Sequence, residues 1–182
     1  MLPITKKLTS YNHTKGNNNI KYIVIHDTGN YMDSDEGNAK YFSEDGRKAS
    51  AHYFVDDNSI TQVVEDKDQA WHCGDGKGIY GINNHNSIGI EMCRVNGTVT
   101  ELTEANTIGL VKTLMQKYNL KADKVVRHYD ASRKNCPSSF SANNWARWIA
   151  FKSKLGSTAT VNKNNNEQSP SGGNLVLQIK IL

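Results

Sequence analysis

The residues best suited to chemistry lie in the run His128-Tyr129-Asp130-Ala131-Ser132-Arg133-Lys134-Asn135-Cys136-Pro137 and in His26, at the end of an early apolar run. The first run offers an imidazole, a thiol and a cation close together, and His26 adds a second imidazole far upstream. Zinc takes such mixed nitrogen and sulfur ligands, and a centre with three protein ligands keeps a position open for water. The chemistry this pattern suggests is hydrolysis, with His26, His128 and Cys136 as metal ligands. His52 and His72 compete for the same role.

Glu91 is a carboxylate inside the otherwise apolar run Ser87-Ile88-Gly89-Ile90-Glu91-Met92-Cys93. Carboxylates are seldom buried without a partner, and partial burial raises their pKa toward that of a general base. Lys134 is either half of a structural ion pair or a cation aimed at a developing oxyanion. A second enzymatic reading makes Cys136 a nucleophile, with His128 or His52 as its base. A cysteine bound to zinc cannot also attack, so the two readings exclude each other. Trp71-His72-Cys73-Gly74 either sets an indole and an imidazole beside a substrate groove or marks a core tryptophan next to a surface loop. Trp145 and Trp148 read as core packing, because helical spacing already explains them.

The elements that must hold these residues follow from periodicity. Tyr22-Ile23-Val24-Ile25 reads as a strand buried on both faces and ending at His26-Asp27. Asp33, with Glu36 three residues on, predicts a helix start, with Ala39, Tyr41 and Phe42 on its buried side. Residues 52–55 and 60–64 flank the polar turn Asp56-Asp57-Asn58-Ser59 and predict a hairpin. Residues 72–86, rich in Gly, Asn and Asp, read as a long functional loop. Ser87 to Cys93 is a strand with Ile88, Ile90 and Met92 on one face and Glu91 on the other. Thr103 is expected to cap a helix carrying Ile108, Val111, Leu114, Met115 and Tyr118. Val125-Val126 is a short strand that delivers His128. A last helix over 141–155 carries Trp145, Trp148, Ile149 and Lys152 along one side. Strand, helix, hairpin, strand, helix, strand, helix describes an α/β protein with a mixed central sheet flanked by helices, and ligands gather at the strand ends of such sheets.

The chain has 182 residues, enough for one domain with a proper core and an extension. A net charge of +4, scattered along the chain, gives no nucleic-acid signature. Three cysteines at wide spacing do not form a disulfide framework; one on a metal and two buried is the economical account, with a Cys73–Cys93 bridge as the alternative. The start Met1-Leu2-Pro3-Ile4-Thr5-Lys6-Lys7 lacks the apolar core of a signal peptide, and there is no spanning segment. Residues 1–156 are read as the folded domain and 157–174, dominated by Thr, Asn, Ser and Gly, as a linker. Residues 175–182 read as a strand, either opening a further domain or adding an edge to the first; the former is favoured.

At these residues the chain resembles zinc-dependent N-acetylmuramoyl-L-alanine amidases, the family of T7-like phage lysozymes, Bacillus and clostridial phage endolysins and peptidoglycan recognition proteins. The likeness covers roughly residues 18 to 155. It rests on Ile23-Val24-Ile25-His26, Ala51-His52-Tyr53-Phe54-Val55, Asn86-Ser87-Ile88-Gly89-Ile90-Glu91, and the spacing of His128, Lys134 and Cys136-Pro137. The resemblance implies the peptidoglycan-recognition-protein fold and one zinc per catalytic domain, on His26, His128 and Cys136. It implies Glu91 as base and Lys134 as the residue that polarises the carbonyl. Ala51 stands where the T7-like branch has a catalytic tyrosine before the histidine that matches His52, and Glu91, which that branch lacks, assigns this chain to the glutamate-using branch.

The implied reaction is hydrolysis of the amide between the lactyl group of N-acetylmuramic acid and L-alanine in bacterial peptidoglycan. Trp71, His72, His52 and Asn86 are the expected substrate contacts, with loop 72–86 and the region after Asn30 lining the groove. A monomeric catalytic domain is the simple default, and the scattered charge and lack of a spanning segment argue for neither a nucleic-acid partner nor membrane insertion. With the start that lacks a signal-peptide core, the resemblance implies an endolysin held in the host cytoplasm until a holin opens the membrane, whereas a bacterial autolysin would need an export signal; a prophage gene and secreted action are the alternatives. The tail then reads as the start of a wall-binding domain, and Asn and Lys richness points to a low-GC Gram-positive host. The rival functions are a zinc endopeptidase acting on the stem or cross-bridge and a non-catalytic peptidoglycan binder.

Overall fold

The computed structural model describes residues 2–156, and the expectations for 157–174 and 175–182 lie outside them. Six strands make one sheet in the order β1 (Ile4–Lys6), β5 (Ile60–Gln62), β4 (Tyr53–Val55), β7 (Ser87–Met92), β3 (Tyr22–Asp27), β8 (Val125–Arg127). β4 and β5 pair antiparallel and every other neighbour runs parallel, so the sheet is mixed. β2 (His13–Thr14) and β6 (Gln69–Ala70) form a separate antiparallel ribbon. The helices are α1 (Asp35–Phe42), α2 (Glu101–Lys117), α3 (His128–Ser132) and α4 (Ala142–Gly156). Among the described residues no helix is long and apolar enough to cross a membrane.

Alternation along the central strands divides the labour between the two faces of the sheet. Ile23 and Ile25 of β3, with Ile88, Ile90 and Met92 of β7, join Leu110, Val111 and Leu114 of α2 and Trp148, Phe151 and Leu155 of α4 in the main core. Burying each such side chain contributes roughly 1.5–3 kcal/mol. The intervening residues turn to the opposite face. There Val24 packs on Cys73, Ile82 and Ala131, and Phe54 packs on Ala39, Val63 and Ala70 beneath α1. His26, Gly89 and Glu91 belong to this second face. One face therefore holds the fold together and the other is free to carry a site.

Local chemistry sets the element ends, not always where periodicity placed them. The hairpin closes as expected, with Asp56 Oδ1 accepting the N–H groups of Asn58 and Ser59. α1 starts from Ser34, whose hydroxyl accepts the Gly37 N–H. Asp33 instead receives the amides of Asn30 and Asn38 and the Arg94 N–H. α2 is capped by Thr100, which accepts from the Thr103 N–H, so the expected cap at Thr103 is corrected by three residues. Thr103 is held inside the first turn by a hydrogen bond to Asp57. On α4 the buried stripe is Trp148, Phe151 and Leu155, while Ile149 is 63% exposed. All three cysteines are buried free thiols, so the alternative Cys73–Cys93 bridge is absent.

Candidate metal centre and active site

Strand register assembles the first half of the site. β3 and β7 pair with His26 opposite Glu91, and β4 sets Phe54 opposite Glu91 from the other side. β8 pairs Arg127 with Ile25, so the next residue, His128, leaves the sheet beside His26. The chain runs through α3, turns at Arg133 in left-handed backbone (φ 70°), and returns through Lys134 to Cys136. Two bonds hold this return in place: Tyr129 N–H donates to the Cys136 carbonyl at 2.9 Å, and Ser139 N–H donates to Asp27 at 2.7 Å. Arg94 neutralises Asp27 from 2.6 Å.

His26, His128 and Cys136 converge, all buried, with one ligand atom from each lying within 4.8 Å of the others. Nδ1 of His26 is 3.1 Å from Nδ1 of His128 and 3.8 Å from Cys136 Sγ. Burial, and after it the neighbouring His128, holds the His26 pKa well below the ordinary value, and burial lowers His128 too. Both rings are thus neutral near pH 7, the state in which imidazole binds metal. Two buried imidazoles and a thiol with three atoms facing one another make a donor set that suits zinc.

Glu91 stands at the rim of this cluster. Its Oε1 lies 3.8 Å from His26 Nδ1. The side chain is 20% exposed, yet Oε2 is enclosed and finds no partner among the described residues. Burial, then the charge of Asp27, pushes its pKa up to about 8. At that value the carboxyl keeps its proton at neutral pH in the metal-free protein, and a cation held by the neighbouring cluster would favour its ionised, proton-accepting form. Burial and the nearby Glu91 drive the Cys136 thiol in the same direction, far above the ordinary value. An activated nucleophilic cysteine needs the opposite shift, so the free-thiolate reading loses its support.

The cluster floors a cleft of about 320 Å³ whose walls include Trp71, His72, Phe54 and Lys134. A second cavity of about 560 Å³ opens toward α1 and shares Thr28, Phe42, Phe54 and Glu91 with it. Trp71 is 36% exposed and ties its indole N–H to Thr14 Oγ1. The other two expected substrate contacts are placed elsewhere. His52 is fully buried, its Nδ1 accepting the Gly89 N–H and its Nε2 bonding the Asp68 carbonyl, so it joins β4 to β7. Asn86 spends its side-chain amide on Asn83 N–H and the Gly81 carbonyl, closing a turn.

Sequence reasoning missed Asp75, whose Oδ1 lies 2.8 Å from His128 Nε2 while its Oδ2 receives Ser132 Oγ. The signal that could have found it is the Gly74-Asp75-Gly76 run. A Cβ on Gly76 would sit 2.1 Å from the Ala131 carbonyl oxygen, so only glycine lets this turn press against α3. Metal-ligating histidines usually give their second nitrogen to such a partner.

A mixed α/β sheet carrying a buried His-His-Cys cluster, with a carboxylate and an amine at its rim, is a candidate metal site of the kind found in hydrolases. The chain belongs to the N-acetylmuramoyl-L-alanine amidase family, whose pattern matches residues 16–139. It is 32% identical over 174 residues to a probable N-acetylmuramoyl-L-alanine amidase of Bacillus licheniformis, covering 87% of this chain and 49% of that one. A mutant endolysin from Bacillus subtilis superposes with a TM-score of 0.74 at 33% identity, covering 86% of this chain and 100% of that one. The structure of PlyL superposes with a TM-score of 0.76 at 31% identity, covering 86% and 98%. The chain spans about half the length of the curated relatives it matches.

Proposed function

We propose that this chain hydrolyses the amide joining the lactyl group of N-acetylmuramic acid to L-alanine in bacterial peptidoglycan, using one zinc ion held by His26, His128 and Cys136. Family membership supports the bond class, and the observation that carries the mechanism is the convergence of three buried ligands beside a proton-poised glutamate. Zinc so held would supply an acidified water and Lewis acidity toward a carbonyl. Glu91 takes the proton of the attacking water and hands it to the alanine nitrogen as the C–N bond breaks, ending as it began. The Lys134 ammonium, on the cleft wall, stabilises the negative charge that gathers on the carbonyl oxygen only in the transition state. His128 and His26 stay neutral and keep their lone pairs for the metal.

Digestion of purified Gram-positive peptidoglycan, followed by labelling of new amino termini, tests the reading. N-terminal L-alanine with intact glycan strands is the expected product. New termini on any other stem or cross-bridge residue would make the protein an endopeptidase, and zinc binding without any release would make it a binder.

A further inference from the structure

Three positions in or beside the family-like runs have no task in that mechanism: His72, Ser87 and Gly89. They meet in the structure. Nδ1 of His72 lies 3.0 Å from Nε2 of His26, the nitrogen turned away from the ligand cluster. Nε2 of His72 lies 3.2 Å from Ser87 Oγ, and Ser87 Oγ lies 2.6 Å from the Asn83 carbonyl oxygen.

The direction of this chain can be worked out from its far end. A backbone carbonyl can only accept, so the Ser87 hydroxyl donates its proton to Asn83. The lone pairs of Ser87 then receive the Nε2–H of His72. A neutral imidazole carries one proton, so Nδ1 of His72 is bare and accepts the Nε2–H of His26. That leaves Nδ1 of His26 without a proton, facing His128 and Cys136. The tautomer a metal ligand needs is thus set by a carbonyl three hydrogen bonds away, with no reference to the metal.

Packing holds His72 in this pose. Its backbone N–H and that of Cys73 both donate to Asn84 Oδ1, at 3.1 and 2.8 Å. Its ring lies on the backbone of β7, where a Cβ on residue 89 would fall 2.5 Å from His72 Cγ. Gly89 is held in turn by His52, which accepts its N–H at 3.0 Å. His72 and His26 meet edge to face, with ring centroids 5.1 Å apart.

We propose that His72 is a positioning residue for the metal site: with Ser87 and Gly89 it fixes the ring and tautomer of His26, as Asp75 does for His128. This rests on the zinc reading above, and it replaces the expected substrate contact at His72 with a role one bond behind the metal.

The test uses the full 182-residue chain, with zinc affinity measured by competition against a chromophoric chelator and histidine tautomers read from ¹⁵N shifts. The zinc-loaded wild type should show His26 protonated at Nε2 and bare at Nδ1. His72→Ala should weaken zinc binding about 10–100-fold, Ser87→Ala less, and His72→Gln should recover part of the loss because its carbonyl oxygen can accept. A folded His72→Ala that binds zinc like the wild type overturns the proposal while leaving the zinc reading intact. If His72→Ala does not fold, Ser87→Ala decides: wild-type affinity and an unchanged His26 signal overturn it. A wild type that takes up no zinc overturns both.

Discussion

At Glu91 one carboxylate oxygen lies 3.8 Å from His26 Nδ1, and the other is enclosed without a partner among the described residues. A side chain of the same shape that cannot take a proton isolates its contribution. Glu91→Gln should bind zinc as the wild type does, yet lose about 10²–10⁴-fold in kcat; steady-state release of amino termini alongside metal analysis checks both halves. Lys134→Ala should cost about 10²–10³ in kcat with little change in KM, since its charge is used only as the oxyanion forms. At this scale residue type and spacing marked His26, His128, Cys136, Lys134 and Glu91 as candidates, and the fold brings all of them to one cleft. The remaining histidines were not separable in the sequence. Whether an imidazole faces the cleft, as His72 does, or is spent on Gly89 and Asp68, as His52 is, depends on neighbours across the sheet. The Gly74-Asp75-Gly76 run marks a tight turn but does not name the partner of Asp75, since His128 is distant in sequence and comes close only through the tertiary fold.

Strands and helices carry these residues into place, and their contacts can be tested as units. The Gly74–Gly76 turn touches α3 so closely that Gly76→Ala puts a Cβ 2.1 Å from backbone at Ala131, where no side chain can swing aside. The expected loss is about 1–3 kcal/mol in urea unfolding, accompanied by weaker zinc binding as Asp75 moves off His128. On the opposite face of the sheet, Phe151→Ala should cost about 3–5 kcal/mol, because Phe151 is fully buried and stacked on Trp148, and it should leave metal affinity unchanged. Alternation and helical spacing foresaw the mixed sheet, the hairpin and the three long helices. They could not choose between Thr100 and Thr103 as the cap of α2, since both are threonines and the choice is settled by Asp57 from the hairpin turn. They also could not supply register: His26 meets Glu91 because β3 and β7 align at that residue, and a one-residue slip would send one of them into the core.

For the whole molecule, burying so many titratable groups makes stability depend on pH in two opposed ways, most visible in metal-free protein. The folded-state pKa values of His26, His52, His72 and His128 are depressed below 6.5, that of His52 to about 4. The unfolded chain therefore binds more protons there, and stability rises with pH up to about 6.5. Glu91 acts in reverse: its pKa rises from 4.5 to about 8 on folding, so the folded state keeps a proton that the unfolded state has lost. Stability from this group falls as pH climbs toward 8. Above pH 6.5 the histidine contribution is complete and the Glu91 decline remains, about 2 kcal/mol at most across that interval. Urea midpoints of metal-free protein should rise from pH 5 to 6.5 and fall from 6.5 to 8, and Glu91→Gln should abolish the fall alone. We propose that this fold holds one zinc over one amide bond. It is tested most directly by stripping the protein with a chelator, adding back stoichiometric zinc, and following N-terminal L-alanine released from peptidoglycan, with a thiol-alkylated zinc-loaded sample in parallel. Activity should vanish on stripping, return with one zinc per chain, and survive alkylation while the metal covers Cys136. Release that persists in metal-free protein and disappears on alkylation would contradict the zinc mechanism and restore Cys136 as a nucleophile.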